Sequence, residues 1–281
     1  MAYLELFSLL SIAEEERILD KERRTCFESC YPFKIFPQKN IKMIECQDIT
    51  IFSGSNGSGK STLLNIIAGK IKTIRKQHYN KSEFFDKYLR GCYFCAGKRP
   101  VEMKLITSDD IFNYLFDIRA ISRKDHKKRM KLASEYQGII GKKLKTLEEL
   151  EIMKDFIEEQ EEVKSFYKKK LNNNIKEQSN GELALIYFER ELKKNGLYLL
   201  DEPENSLSAI SQIKMMKLID NLSKKFKCQF IISTHSPFLL SLANALIYNL
   251  DSETGKNVEW NQLENVKTYY NFFKEHETEF K

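Results

Sequence analysis

Nine residues, Gly54 to Thr62, read GSNGSGKST and place Gly54, Gly59, Lys60 and Ser61 on the spacing G-x-x-x-x-G-K-[ST]. In such a run the glycines let the backbone curl until successive N–H groups point inward at an anion. A following helix adds the partial positive charge of its N-terminus. Gly54, Ser55, Asn56, Gly57, Ser58, Gly59, Lys60, Ser61 and Thr62 thus describe a cradle for the phosphates of a nucleoside triphosphate. Lys60 would reach the β- and γ-phosphates, and the Ser61 hydroxyl would hold Mg²⁺. A second acidic centre lies far along the chain, where the apolar run Leu197–Leu200 ends in Asp201-Glu202-Pro203. Adjacent carboxylates beside a phosphate loop suggest two tasks: Asp201 on Mg²⁺, and Glu202 as the base that orients and deprotonates an attacking water. His235, 34 residues past Asp201, follows another apolar run and could contact the γ-phosphate or that water.

The elements that must position these groups are legible around them. Ile49–Phe52 is a short β-branched, apolar strand, and STLLNIIAG reads as a helix ended by Gly69. Val101–Thr107 is a predicted strand, with Ser108, Asp109 and Asp110 as the cap region of a helix through IFNYLFDI. Leu197–Leu200, Phe230–Ile232 and ALIYNL read as further strands. Strands alternating with helices predict an α/β fold with a mostly parallel sheet flanked by helices. Parallel strands bring their C-terminal ends to one edge, the place where ligands bind in open sheets. Gln178-Ser179-Asn180-Gly181-Glu182 opens the helix ELALIYFERELKK. Ser179 with Glu182 three residues on fits a capping box, and the same helix end is a second anion site.

At 281 residues and 42% hydrophobic content the chain can bury a sizeable core. A net charge of +6 among 86 charged residues is too small an excess to argue for nucleic acid by itself. No run approaches 18 consecutive apolar residues, and the start lacks the pattern of a signal peptide, so a cytoplasmic protein without membrane insertion is expected. Six scattered cysteines do not make a disulfide framework. Cys92 and Cys95 with Cys26 and Cys30 are the only pairs that a zinc ion could use, against ordinary buried or idle thiols.

Residues 122–145 carry nine Lys/Arg against two acids, and residues 146–163 carry eight acids against one Lys. Apolar residues at helical spacing through the second block predict a helical insert, a hairpin with oppositely charged faces. The basic block is either the partner of its acidic neighbour or a phosphate-binding face for DNA or RNA. The stretch Trp260–Phe273 holds Leu263, Val266, Tyr270 and Phe273 at helical spacing and is expected to pack on the sheet, with a docking helix as the other reading.

In this order, the four motifs resemble those of the ATP-binding-cassette ATPases, over about residues 40–250. The phosphate loop matches fully. QSNGE stands where that family has LSGGQ, with Ser179 and Gly181 matching, and begins 23 residues before Asp201. The resemblance implies a P-loop NTPase of ABC type in one domain, 1–281. Its nucleotide-binding lobe would be about 1–107 and 196–281, with a helical insert lobe at about 108–195. It implies ATP and Mg²⁺ as cofactors, ATP hydrolysis, and an ATP-dependent head-to-tail homodimer. In that dimer Ser179, Asn180 and Gly181 of one chain close over the phosphate at Lys60 of the other, and Asn205 to Ser208 couple the two sites. DEPEN followed by STHSP is similar to the soluble branch, which includes DNA-repair, chromosome-maintenance and stand-alone bacterial defence ATPases acting on a macromolecular partner. The alternatives are the nucleotide-binding subunit of a membrane transporter and a nucleotide-gated module with negligible turnover. Two positions depart from the pattern. Asp109 stands near where the family has a glutamine, and Phe36 is the candidate for stacking on adenine, with core packing as its other reading.

Overall fold

The computed structural model describes residues 2–21, 29–39, 41–77, 79–118, 179–252 and 258–280. The chain divides into two compact units, Met1–Phe112 with Ala184–Lys281, and Asn113–Leu183. The first unit contains both sheets. Its parallel sheet has the order β5-β6-β7-β3-β8, formed by Glu102–Thr107, Gly196–Asp201, Gln229–Ser233, Ile49–Ser53 and Leu246–Asn249. Every pairing in it is parallel. β3 and β7 are buried along their whole length, as strands covered on both faces must be, which is why they read as continuous apolar runs rather than as alternation. The helix α2 (Lys60–Ile71) lies behind the phosphate loop and buries Leu63, Leu64, Ile66, Ile67 and Ile71.

Register decides the chemistry of the sheet's edge. Asp201, the last residue of β6, pairs with Ser233 of β7 and with Thr107 of β5. Ser233 in turn pairs with Phe52 of β3, two residues before the phosphate loop. Three strands that are distant in sequence therefore end side by side. Phe52 is fully buried and meets the Tyr248 ring at 5.9 Å between centroids. Phe52→Ala should cost about 3–5 kcal/mol, as buried Phe truncations do. Urea denaturation would read that loss as a lower midpoint at unchanged slope.

A second sheet stands beside the strands expected from sequence. β1 (Leu4–Ser8), β2 (Met43–Glu45) and β4 (Tyr93–Ala96) make a three-stranded antiparallel sheet, order β2-β1-β4, with α1 at Ile12–Lys21 and α3 at Phe85–Gly91. All four side chains of β4 are exposed, so no alternation marks the strand. The buried Gln229 fastens this sheet to the parallel one. Its Oε1 accepts the N–H groups of Tyr3 and Leu4 at 2.9 and 2.8 Å, and its Nε2 donates to Leu4 O and Gln47 O at 2.7 and 2.9 Å.

Two helix ends also move. α2 runs through Gly69 and ends at Lys72, whose φ of 58° forms the left-handed cap. Gly69 instead leaves room for α3, since a Cβ there would stand 2.8 Å from Leu89 Cδ1. The helix α4 (residues 108–118) starts at Ser108, inside the stretch expected to cap it. Thr107 is its cap, with its N–H donating to Asp110 Oδ2 at 2.9 Å and Asp110 N–H donating to Thr107 Oγ1 at 3.4 Å. The remaining α-helices among the described residues are α5 (Asn180–Glu191), α6 (Ala209–Phe226), α7 (Pro237–Leu240) and α8 (Glu264–Glu275). α8 follows the predicted C-terminal stretch only in part: Leu263 and Val266 are buried, while Tyr270 and Phe273 stand more than half exposed. Of the second unit, residues 113–118 and 180–183 are helical. The predicted insert hairpin and both charge blocks lie outside the described residues.

Candidate functional site

The phosphate loop leaves the end of β3 and enters α2 at Lys60. Gly57 and Gly59 have φ of 82° and 99°, conformations that side chains rarely adopt. A Cβ on Gly59 would also press to 3.2 Å from Ile35 and 3.4 Å from the Phe36 ring. Around Gly57 a Cβ would meet nothing within 4 Å, so the crest of the loop faces open space. Lys60 is 4% exposed, and its Nζ donates to Gly54 O at 2.9 Å and Ser55 O at 3.0 Å. Burial lowers its pKa, with Glu202 acting in the opposite sense. The buried Ser58 Oγ has no partner. A loop with a glycine-opened crest, an orphaned hydroxyl and a lysine parked on its own carbonyls fits a polyphosphate.

At the edge set by β6 and β7, Asp201 Oδ1 accepts from Ser61 Oγ at 3.0 Å and from Ser233 Oγ in a short contact. Burial pushes the Asp201 pKa up, opposed by those two hydroxyls. The pair Ser61 and Asp201 is an oxygen donor set of the kind Mg²⁺ takes when phosphates and waters complete its shell. Among the described residues, no three His, Cys, Asp or Glu side chains gather where they could hold a metal ion by themselves.

Glu202 has φ 46°, a left-handed conformation rare for a side chain of its size. Its N–H donates to Ser233 O at 3.0 Å. Its Oε1 lies 3.8 Å from Lys60 Nζ and 3.4 Å from His235 Nε2, and its Oε2 accepts from Asn205 Nδ2 at 3.0 Å. Both Glu202 and His235 keep about a third of their side chains in water. Lys60, Ser61, Asp201, Glu202 and His235, chosen from sequence, thus meet at one edge of the sheet.

Other predicted positions fall elsewhere. Phe36 is fully buried in the hydrophobic core and cannot stack on a base, so its core reading is the right one. Asp109 is exposed, whereas its neighbour Asp110 is buried in the cap of α4. In the second unit Ser179 caps α5: its N–H donates to Glu182 Oε2 at 2.8 Å, and Glu182 N–H returns to Ser179 Oγ at 3.4 Å. Ser179 and Asn180 are exposed and Gly181 is buried. Cys92 is buried and Cys95 exposed; Cys26 lies outside the described residues.

Several neighbours of the site escaped the sequence reading. Asp251 takes Ser55 N–H at 2.6 Å and Ser55 Oγ at 2.8 Å, which braces the start of the phosphate loop. The Tyr31 hydroxyl donates to Thr62 Oγ1 at 3.1 Å. Glu204, 8% exposed, accepts from Thr234 Oγ1 and the His235 N–H at 2.6 Å each. Asp251 belongs here because β8 pairs with β3, an adjacency that strand patterns do not reveal.

A family model described as ABC transporter matches residues 39–205, more than half of the chain. A second, described as AAA ATPase domain, matches residues 182–240. The ABC transporter A family member 11 of Dictyostelium discoideum is 29% identical over 196 residues, 69% of this chain and 20% of that protein. The lipoprotein-releasing system ATP-binding protein LolD of Leptospira interrogans is 25% identical over 237 residues, 80% of this chain and 85% of its own. A solved dimeric ATP-binding cassette bound to ADP and Pi is 17% identical with a TM-score of 0.37, over 78% of this chain and 89% of that one. The chain spans between a fifth and under half of the length of the first curated relatives it matches. No helix among the described residues is long and apolar enough to cross a membrane. The parallel sheet, its phosphate loop and the family model over 39–205 agree: the chain belongs to the ABC transporter family, as an ATP-binding P-loop ATPase domain.

Proposed function

We propose that the chain is a cytoplasmic ATP hydrolase of the soluble branch of this family, closing as a head-to-tail homodimer on ATP and acting on a macromolecular partner. The observation that carries the reading is the convergence of Lys60, Ser61, Asp201, Glu202 and His235 beyond the C-terminal ends of three parallel strands. Ser61 and Asp201 would hold Mg²⁺, which supplies positive charge against the phosphate oxygens when bound. Lys60 would leave the carbonyls of Gly54 and Ser55 for the β- and γ-phosphates, while the loop amides from Ser55 to Thr62 wrap the chain of phosphates. Glu202 would take a proton from water as the water oxygen bonds to the γ-phosphorus and the bond to the ADP oxygen breaks. His235, 3.4 Å from Glu202, would orient that water or the γ-phosphate. Ser179, Asn180 and Gly181 of the other chain would complete the cage; the exposed, capped start of α5 supports that role.

Phosphate release measured against protein concentration tests this reading. Activity per chain should rise with concentration as dimers fill, and Lys60→Ala should abolish it. A rate per chain independent of concentration would count against the shared site. The same assay with DNA or RNA added decides whether nucleic acid is the partner. Relatives named as transporter ATP-binding proteins support a second reading, the energising subunit of a membrane transporter. Co-purification with a membrane-spanning protein would select it.

A further inference from the structure

Glu204 sits on the short turn Pro203–Ser206, two residues past Glu202, and is almost wholly buried. One of its oxygens, Oε1, serves three donors of a single loop: Thr234 Oγ1 at 2.6 Å, His235 N–H at 2.6 Å and Ser236 N–H at 3.2 Å. The other oxygen, Oε2, is buried without a partner. Burial pushes the carboxyl's pKa up, so keeping an ionisable group here is costly. A helix cap does not explain the cost, because α7 is already capped by Ser236 Oγ, which accepts the Leu239 N–H at 3.3 Å. The donors that Glu204 takes lie around His235.

The consequence concerns the imidazole. Among the described residues its Nε2 makes no hydrogen bond, and Glu202 Oε1 at 3.4 Å is a long contact that cannot fix the ring alone. The ring is therefore placed by its backbone, held at the N–H by Glu204 and at the carbonyl by Asn265 Nδ2 at 3.1 Å. Glu202 and Glu204 share one turn, so the clamp ties the histidine to the same segment that carries the acid. We propose that Glu204 is a positioning residue that locks the His235 loop to the Glu202 turn and so sets the imidazole against Glu202. Its consequence for turnover rests on the hydrolase reading above; the placement of the ring does not.

The test compares wild type, Glu204→Met, Glu204→Gln, His235→Ala and the double variant Glu204→Met/His235→Ala. Kinetics of MgATP phosphate release are read alongside imidazole nitrogen–proton correlation spectra of the nucleotide-free protein. The chain has four histidines, and His235→Ala identifies the signal. Methionine fills the volume but accepts no hydrogen bond comparably. Glu204→Met should lower kcat about 10–100-fold with KM for ATP within about threefold, since small misplacements of a reacting group have effects of that size. Glutamine keeps an acceptor oxygen, so Glu204→Gln should restore kcat to within about threefold and return the His235 signal to its wild-type position. On the His235→Ala background Glu204→Met should change nothing further. An unshifted His235 signal in Glu204→Met, or a loss of equal size without His235, overturns the proposal. If Glu204→Met does not fold, Thr234→Val removes one donor and should shift the same signal by less; no shift there also overturns it. Absence of phosphate release from wild type would sink the hydrolase reading, and the ring spectra would still decide the clamp.

Discussion

Glu202→Gln should stop turnover while leaving ATP bound, and the loss in kcat should be about 10²–10⁴-fold, the usual contribution of a general base. The reason lies in which contacts the amide can keep. The Gln oxygen can still accept from Asn205 Nδ2, which holds Glu202 at 3.0 Å, so the side chain stays over the phosphate loop. It can no longer take the proton of the attacking water. Lys60 loses an anionic neighbour at 3.8 Å, which frees it for phosphate rather than weakening binding. ATP should therefore accumulate in the closed dimer, and gel filtration with Mg²⁺ and ATP should show a species of twice the chain mass that ADP does not produce. Monomer under those conditions would count heavily against the shared site, and a wild-type rate would remove Glu202 from the role of base.

The parts of this site that were legible in sequence are those whose chemistry is local. The loop from Gly54 to Thr62 is a contiguous run whose glycine positions answer to backbone geometry, at Gly57 and Gly59 above all. Asp201, Glu202 and His235 were found because each follows an apolar strand, and parallel strands end together. What stayed hidden depends on strand order and register. Ser233 looks like any residue ending a strand until the register sets it beside Asp201. Asp251 reaches the phosphate loop only because β8 lies next to β3. The antiparallel sheet was missed because β4 buries none of its side chains, and the buried Gln229 that secures β1 reads as an ordinary polar residue. An aromatic side chain such as Phe36 suits a base or a core equally well in sequence, and here the core holds it.

Asp201→Asn should make the nucleotide-free protein more stable and the enzyme nearly inactive. Burial raises the Asp201 pKa above its ordinary value of 3.8, so the folded state binds that proton more tightly than the unfolded chain does. A group of this kind contributes most stability below its unfolded pKa and loses it as pH rises through the folded value. Glu204, raised by burial from 4.5, acts in the same direction. Stability of the nucleotide-free wild type should accordingly fall as pH climbs from about 4 toward neutrality. Asparagine carries no charge to bury, and its oxygen can still accept from Ser61 and Ser233. Asp201→Asn should therefore flatten that fall and raise Tm at pH 7, by roughly 2–4 °C for each kcal/mol recovered. The cost appears when Mg²⁺ and ATP are added. In wild type the cation would turn the buried carboxylate from a liability into a ligand, and Tm should rise by mass action. Asp201→Asn should show little of that rise, together with a fall in phosphate release of about 10²-fold or more, the scale on which loss of charge stabilisation acts. Scanning calorimetry with and without Mg²⁺ and ATP reads both halves. A lower Tm for nucleotide-free Asp201→Asn at pH 7 would show that the hydroxyls of Ser61 and Ser233 already stabilise the charge more than burial penalises it. The edge of the sheet would then be preorganised for an anion, with no strain left for the cation to relieve.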